Sequence, residues 1–180
     1  MILNKALFLD RDGVVNQDHG YVHKIKDFKF IDGIFDLTRA AISKGYLIFI
    51  ITNQAGIGRG YFSVSDFDLL TFWMCEQFND QGVSVSKVYY SPFHPEHGIG
   101  YFKKDDMSRK PNPGMIIQAV DEFNINLSES ILIGDKLSDI QAGLNAGVRT
   151  NICVRSNISD SDISVSCHYI AKLNEAKAFL

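Results

Sequence analysis

The sequence predicts a doubly wound α/β fold built on a mainly parallel sheet of five or more strands, and two observations carry that prediction. Short apolar runs alternate along the chain with stretches of helical period, the order that a parallel sheet with crossover helices requires. Several of those runs are apolar on successive residues, as from Leu47 to Ile51. A strand covered on both faces reads this way, whereas a half-exposed strand alternates.

Ala6–Leu9 is the first predicted strand. Ile34, Leu37, Ala41 and Ile42 then keep the helical period, entered by Asp32-Gly33 and closed by Gly45, a residue suited to the left-handed turn at a helix end. Leu47–Ile51 is the second strand. A second helix carries Phe67, Leu70, Met74 and Phe78 on one face, and Ser63 with Asp66 gives its start a capping-box pattern. The aromatics Phe67, Trp73 and Phe78 are assigned to the core. Val85–Tyr90 is the third strand. A third helix begins at Asn112-Pro113, with Ile116, Ala119, Val120 and Phe123 on one stripe; proline is favoured at the first helical position. Ile131–Ile133 is the fourth strand, a helix runs from about Ser138 to Ala146, and Val148–Val154 is the fifth strand. His168 is assigned a structural role. No repeat, low-complexity tract or linker interrupts this order, so residues 1–180 are expected to form one domain.

The bulk properties narrow the partners. A chain of 180 residues buries a substantial core. A net charge of -3 and a pI near 5.9 give no general attraction to nucleic acid or acidic membranes, so phosphate recognition has to be local. No apolar run is long enough to cross a bilayer, and the first ten residues enter a strand instead of a leader pattern. A cytoplasmic monomer is expected. Cys75, Cys153 and Cys167 then read as reduced thiols, and the Asn-x-Ser sequences at Asn126 and Asn157 carry no weight without a secretory route.

Ligands of such a sheet bind beyond the carboxyl ends of its strands, so the residues just past each apolar run are the informative ones. The first run ends in Asp10-Arg11-Asp12-Gly13, the second in Thr52-Asn53-Gln54, the fourth in Gly134-Asp135 with Asp139 four residues on; Arg109-Lys110 precedes the third helix. Singly, each has a bland reading: a strand-end Asp caps the next helix, and a Lys is solvated. Together they suit phosphoryl transfer, which is mostly positioning and charge stabilisation. Asp10, ionised without help, can attack phosphorus. Magnesium would offset the repulsion between anions, held by the carboxylates of Asp10 and Asp135. Asp12 is placed to protonate the leaving oxygen and then deprotonate water. Thr52 offers a hydroxyl and Lys110 a point charge. Gly56, Gly58 and Gly60 lack dinucleotide-loop spacing and read as a flexible pocket loop, and Arg59 within it either reaches a distal phosphate or faces water.

These four segments, in this order, resemble the motifs of the haloacid dehalogenase superfamily. The stretches FLDRDGVVNQDHGYV, FIDGIFDL, TNQAGIGRGYF, YYSPFHPEHG and RKPNPGM are similar to its D-glycero-D-manno-heptose 1,7-bisphosphate phosphatase branch, whose near relative is the histidinol-phosphatase domain. The superfamily implies Asp10 as nucleophile, Asp12 as general acid and base, magnesium held by Asp10, the Asp12 carbonyl and Asp135, and Asp139 supporting Lys110 or the metal's waters. The branch further implies no large cap, so that loops form the pocket, at Asp18-His19-Gly20-Tyr21, Thr52-Asn53-Gln54-Ala55 and Arg109-Lys110, with Arg109 recognising substrate and Lys136 beside the metal. Arg11 and Arg59 join the candidates for substrate contact.

That branch holds a structural zinc through a Cys-x-His pair and a Cys-x-Cys pair. The matching positions here are Ser91, Phe93, Asp106 and Ser108, so no zinc is expected and the loop must be held by packing of Phe93, Tyr101 and Phe102. His94, His97 and Asp106 leave a metal site open beside the alternative of two solvated histidines. Three functions stand as expectations: hydrolysis of the heptose bisphosphate at C7, hydrolysis of histidinol phosphate or another small ester, or non-catalytic binding on the same fold.

Overall fold

The computed structural model describes residues 3–155 and 167–180, so Asn157 lies outside the described residues. The sheet has six strands: β1 (Lys5–Leu9), β2 (Tyr46–Asn53), β3 (Val85–Ser91), β4 (Ile131–Gly134), β5 (Thr150–Val154) and β6 (His168–Ile170). All pairs are parallel, in the order β3-β2-β1-β4-β5-β6. The strand carrying Asp10 therefore lies inside the sheet, next to the strands that end at Asn53 and Gly134.

Period-two alternation sends successive side chains to opposite faces, and both faces are covered. Leu7, Leu9, Ile48 and Ile50 pack with Ile34 and Leu37 of α1 (Ile34–Ser43) and with Leu70, Met74 and Phe78 of α3 (Val64–Asp80), which follows the short helical turn α2 (Ala55–Gly58). Phe8, Phe49 and Ile51 pack with Ile116 and Ala119 of α4 (Gly114–Phe123) and Ile140 of α5 (Leu137–Ala146). Burying one such side chain contributes roughly 1.5–3 kcal/mol, and the doubly covered sheet explains the unbroken apolar runs. The excursion after Asp12 is a small flap, closed where Gln17 donates to the carbonyl of Lys29 and Ile31 to that of Val15; the described residues form no large cap.

The capping box at Ser63 is present, with Asp66 accepting from the Ser63 amide and Ser63 Oγ from the Asp66 amide. Three expectations move. The third predicted helix starts one residue late: Pro113 is the cap, and its carbonyl accepts from Ile116 and Ile117. The fifth strand begins at Thr150 and not Val148, because Gly147, at φ 89°, closes α5 with the Val148 amide bonded back to Gly143. Gly56 and Gly58 belong to a packed turn, not a flexible loop: a Cβ at Gly56 would lie 2.2 Å from Phe62, and one at Gly58 2.3 Å from the Pro92 carbonyl. Cys75, Cys153 and Cys167 are free thiols, and no described helix is long and apolar enough to cross a membrane.

Candidate active site

Asp10 leaves β1 with its amide still bonded to the Ile133 carbonyl at 2.9 Å, which fixes it against the end of β4. The chain then turns tightly, the amides of Val15 and Asn16 converging on the Arg11 carbonyl. Gly13 holds φ at 102°, and a Cβ there would meet Asp135 Oδ2 at 2.2 Å. Only glycine lets the turn approach the second acid this closely.

Around Asp10 the charges are dense. Lys110, 3% exposed, spends its ammonium on Asp10 Oδ1 at 2.8 Å, Asp139 Oδ1 at 2.7 Å and the Ile51 carbonyl at 2.9 Å. Its backbone is clamped by Asn53, whose side chain donates to the Lys110 carbonyl and accepts from the Lys110 amide, both at 3.0 Å. Asp139 uses its other oxygen to cap α5 at the Lys136 amide, 3.0 Å away. Burial pushes the Asp10 carboxyl well above its ordinary range and Asp139 adds to this, with Lys110 pulling down. Burial would lower Lys110, but Asp10 and Asp139 outweigh it and hold the ammonium above its usual value. Asp135 is likewise raised, by burial foremost, against the pull of Lys136.

The cluster is short of positive charge. Asp10, Asp135 and Asp139 each offer an oxygen, and these lie within 4.8 Å of one another. Asp135 Oδ1 is buried and meets no hydrogen-bond donor. Hard oxygen donors around an unanswered carboxylate fit a magnesium-sized dication. Asp139, with both oxygens already engaged, stands as support for Lys110 and α5.

Asp12 is oriented by three donors. Arg11 Nη2 reaches both its oxygens at 2.9 Å, Asn16 Nδ2 reaches Oδ1 at 3.0 Å, and Gln54 Nε2 reaches Oδ2 at 3.0 Å. Gln54 also meets the buried Thr52 hydroxyl at 2.8 Å. Above these residues opens a cleft of about 310 Å³. Asp10, Asp12, Asp18, Gly20, Tyr21, Thr52, Asn53, Gln54, Ala55, Arg59, Arg109, Lys110, Lys136 and Asp139 all line it. Asp18 receives the Gly20 amide at 2.9 Å and the Lys136 ammonium at 3.0 Å; burial opposes, yet these partners hold its carboxyl below the usual range.

Three candidates are not in the lining of the cleft: Asp135, held close against the turn at Gly13, and Arg11 and His19. Arg11 is 1% exposed and points inward, donating to the Val22 carbonyl at 2.7 Å and lying 5.9 Å from the Phe67 ring; it braces Asp12 from below. His19 faces a neighbouring hollow with Val22, His23 and Lys26, because the turn at Asp18–Tyr21 presents Gly20 and Tyr21 inward. His94 lines the cleft instead, a place that sequence reasoning missed. Its Nδ1 accepts from the amides of Glu96 and His97 at 3.2 and 3.1 Å, which leaves the proton on Nε2. Burial, then the guanidinium groups of Arg109 and Arg59, keep His94 below its ordinary pKa. Arg59 itself lies 5.7 Å from the Tyr21 ring with a buried, unpaired Nε. The cleft that carries the carboxylates and Lys110 is thus also lined by two guanidinium groups, Arg59 and Arg109, and by His94, which burial and these groups keep neutral.

The chain is similar to known proteins along most of its length. Residues 107–173 match a family model described as HAD-hydrolase-like. The chain is 55% identical over 151 residues to D-glycero-alpha-D-manno-heptose-1,7-bisphosphate 7-phosphatase of Burkholderia mallei, covering 84% of this chain and 80% of that protein. It is 44% identical over 151 residues to D-glycero-beta-D-manno-heptose-1,7-bisphosphate 7-phosphatase of Escherichia coli K12, covering 84% and 79%. Among solved structures, that of D,D-heptose 1,7-bisphosphate phosphatase from B. bronchiseptica, complexed with magnesium and phosphate, shares the fold with a TM-score of 0.82 at 24% identity, covering 97% of this chain and 96% of that one. The chain belongs to the haloacid dehalogenase superfamily of hydrolases, in the family of the heptose-1,7-bisphosphate 7-phosphatases.

Proposed function

We propose that the protein removes the C7 phosphate of D-glycero-D-manno-heptose 1,7-bisphosphate through an aspartyl-phosphate on Asp10, in the synthesis of heptose and lipopolysaccharide precursors. The observation that carries the reading is the buried Asp10, paired at 2.8 Å with Lys110 and set beside a second, donor-oriented acid, Asp12, at the floor of one cleft. Relatives at 44% and 55% identity bear that substrate in their names.

In this mechanism the Asp10 carboxylate attacks phosphorus while the bond between phosphorus and the oxygen on C7 breaks, and Asp12 gives its proton to the departing alkoxide. Asp12 then takes a proton from water, which attacks phosphorus and releases Asp10 and inorganic phosphate. Lys110 holds Asp10 in line, and the Thr52 hydroxyl faces the phosphoryl oxygens. Asp10, the Asp12 carbonyl and Asp135, with Asp139 and Lys136 around them, would hold magnesium, which would supply the positive charge that offsets repulsion between the two anions. Asp18, Gly20, Tyr21, Asn53, Gln54 and Ala55 shape the cleft around the sugar, and Arg59 and Arg109 face its second phosphate. The reading takes residues 1–180 as one domain, monomeric and cytoplasmic, without zinc and without nucleic-acid or membrane partners; the small net charge supports it.

Phosphate release from the purified protein tests the proposal. Both anomers of the heptose bisphosphate, histidinol phosphate and other sugar phosphates are compared with magnesium, with and without chelator. A chelator-sensitive preference for the heptose bisphosphate supports it. Preference for another ester keeps the mechanism and overturns the substrate, and silence on every ester points to non-catalytic binding.

A further inference from the structure

We propose that Ser91, Ser108 and Asp106 form a polar clip that positions Arg109 for the substrate's second phosphate while leaving Lys110 untouched, so that affinity and turnover rest on separate anchors. The proposal builds on the reading of Arg109 as a substrate contact.

The clip starts at the end of β3, where Ser91 is fully buried. Its Oγ lies 3.0 Å from Ser108 Oγ, which lies 2.7 Å from Asp106 Oδ1. A hydroxyl has one proton to give, and the anionic oxygen is the stronger acceptor. Ser108 therefore donates to Asp106 and accepts from Ser91. The same Asp106 oxygen accepts from the Ser108 amide at 3.0 Å, and the other oxygen pairs with Lys104 at 2.9 Å. Lys104 in turn sits 4.2 Å over the Phe93 ring and 4.8 Å over that of Tyr101. Hydroxyls, a carboxylate, an ammonium and two rings thus tie residues 104–108 to the sheet.

Arg109 hangs from this clip. Its amide donates to the Asp106 carbonyl at 2.9 Å, and its Nη1 donates to the Phe93 carbonyl at 2.9 Å. Lys110, the next residue, uses none of these partners: Asn53 holds its backbone, and Asp10, Asp139 and Ile51 hold its ammonium. Two adjacent cations are fixed to different parts of the fold. Loosening the clip should shift the first without moving the second.

The test compares Ser108→Ala, Ser108→Thr and Arg109→Ala with the parent protein. Amide hydrogen exchange is followed by NMR at Arg109 and Lys110. KM and kcat are measured for the heptose 1,7-bisphosphate and for p-nitrophenyl phosphate, which has no second phosphate. Ser108→Ala should speed exchange at Arg109 about tenfold with Lys110 unchanged. It should also raise KM for the bisphosphate about tenfold, the weight of one misplaced charge-assisted contact, with kcat and the aryl ester unaffected. Ser108→Thr, which keeps the hydroxyl, should restore both. Unchanged exchange at Arg109, or equal loosening at both amides, overturns the clip. If Arg109→Ala raises KM and Ser108→Ala does not, the clip alone falls. If Arg109→Ala leaves KM unchanged, the reading of Arg109 falls and takes the proposal with it.

Discussion

Asp10 and Asp12 are two residues apart and chemically identical, yet their surroundings differ. Asp10 is buried against a lysine and two other acids, whereas Asp12 is met by the amides of Asn16 and Gln54 and by a guanidinium. Asp10→Asn keeps the shape and removes the nucleophilic charge. It should abolish measurable phosphate release while the far-UV circular dichroism stays that of the parent; retained turnover would sink the covalent mechanism. Gly13→Ala probes the geometry from the other side. Its Cβ cannot fit 2.2 Å from Asp135 Oδ2, so the second acid must move, and magnesium affinity measured by calorimetry should fall at least tenfold. The acids and Lys110 were legible in the sequence because each stands at the end of an apolar run or the mouth of a helix. Arg11 was misread because a tight turn sends neighbours in opposite directions, and sequence does not say which faces the cleft. His94 reaches the cleft only through the fold of its loop, which no periodicity encodes.

Between elements, β3 and α4 are joined by a small polar knot in which Glu122 receives Lys87 and the Tyr89 hydroxyl, with Gln118 one turn away. Lys87 foremost, then Gln118 and Tyr89, hold the Glu122 carboxyl down to about 2. An acid depressed in the folded state contributes stability above its unfolded pKa and loses it as pH falls through the folded one. The gap in melting temperature between the parent and Glu122→Gln should therefore be full above about pH 4.5 and close as pH approaches 2. A gap that stays constant over that range would refute the assignment. At this scale the sequence named five strands and four helices, because their apolar runs or stripes are long. It missed β6, whose three residues include an exposed histidine with its ring tilted against that of Phe179 at 4.6 Å; so short a strand carries no period, and parallel pairing with β5 is what makes it one.

For the whole molecule, the carboxylates at the centre of the sheet set a balance between fold and site. Two of three clustered acids, Asp10 and Asp139, share one buried ammonium, and Asp135 is left without a bond to it, an arrangement that a bound dication would relieve. Magnesium at a hundredfold excess over its Kd should stabilise the fold by about 2.7 kcal/mol, seen as a rise in melting temperature that chelator reverses and Asp135→Asn largely removes. No rise with the parent protein would mean that the acids do not hold the metal in the free enzyme. The doubly wound architecture was legible as a whole because alternation of element types is a long-range signal. Which loop supplied which wall of the cleft was not, since that depends on turns only a few residues long.

The strand order also divides the catalytic set along the chain. The turn after β1 carries Asp10 and Asp12 and β2 carries Thr52, while Lys110, Asp135 and Asp139 come from the chain beyond β3, and within the sheet the two halves meet along β1 and β4 in three register pairs. A nick in the loop between His94 and Lys103 would split the active site as well as the chain, leaving two fragments each inert alone. Their complementation would report on assembly of the sheet itself, with phosphate release as the signal that the halves have found each other.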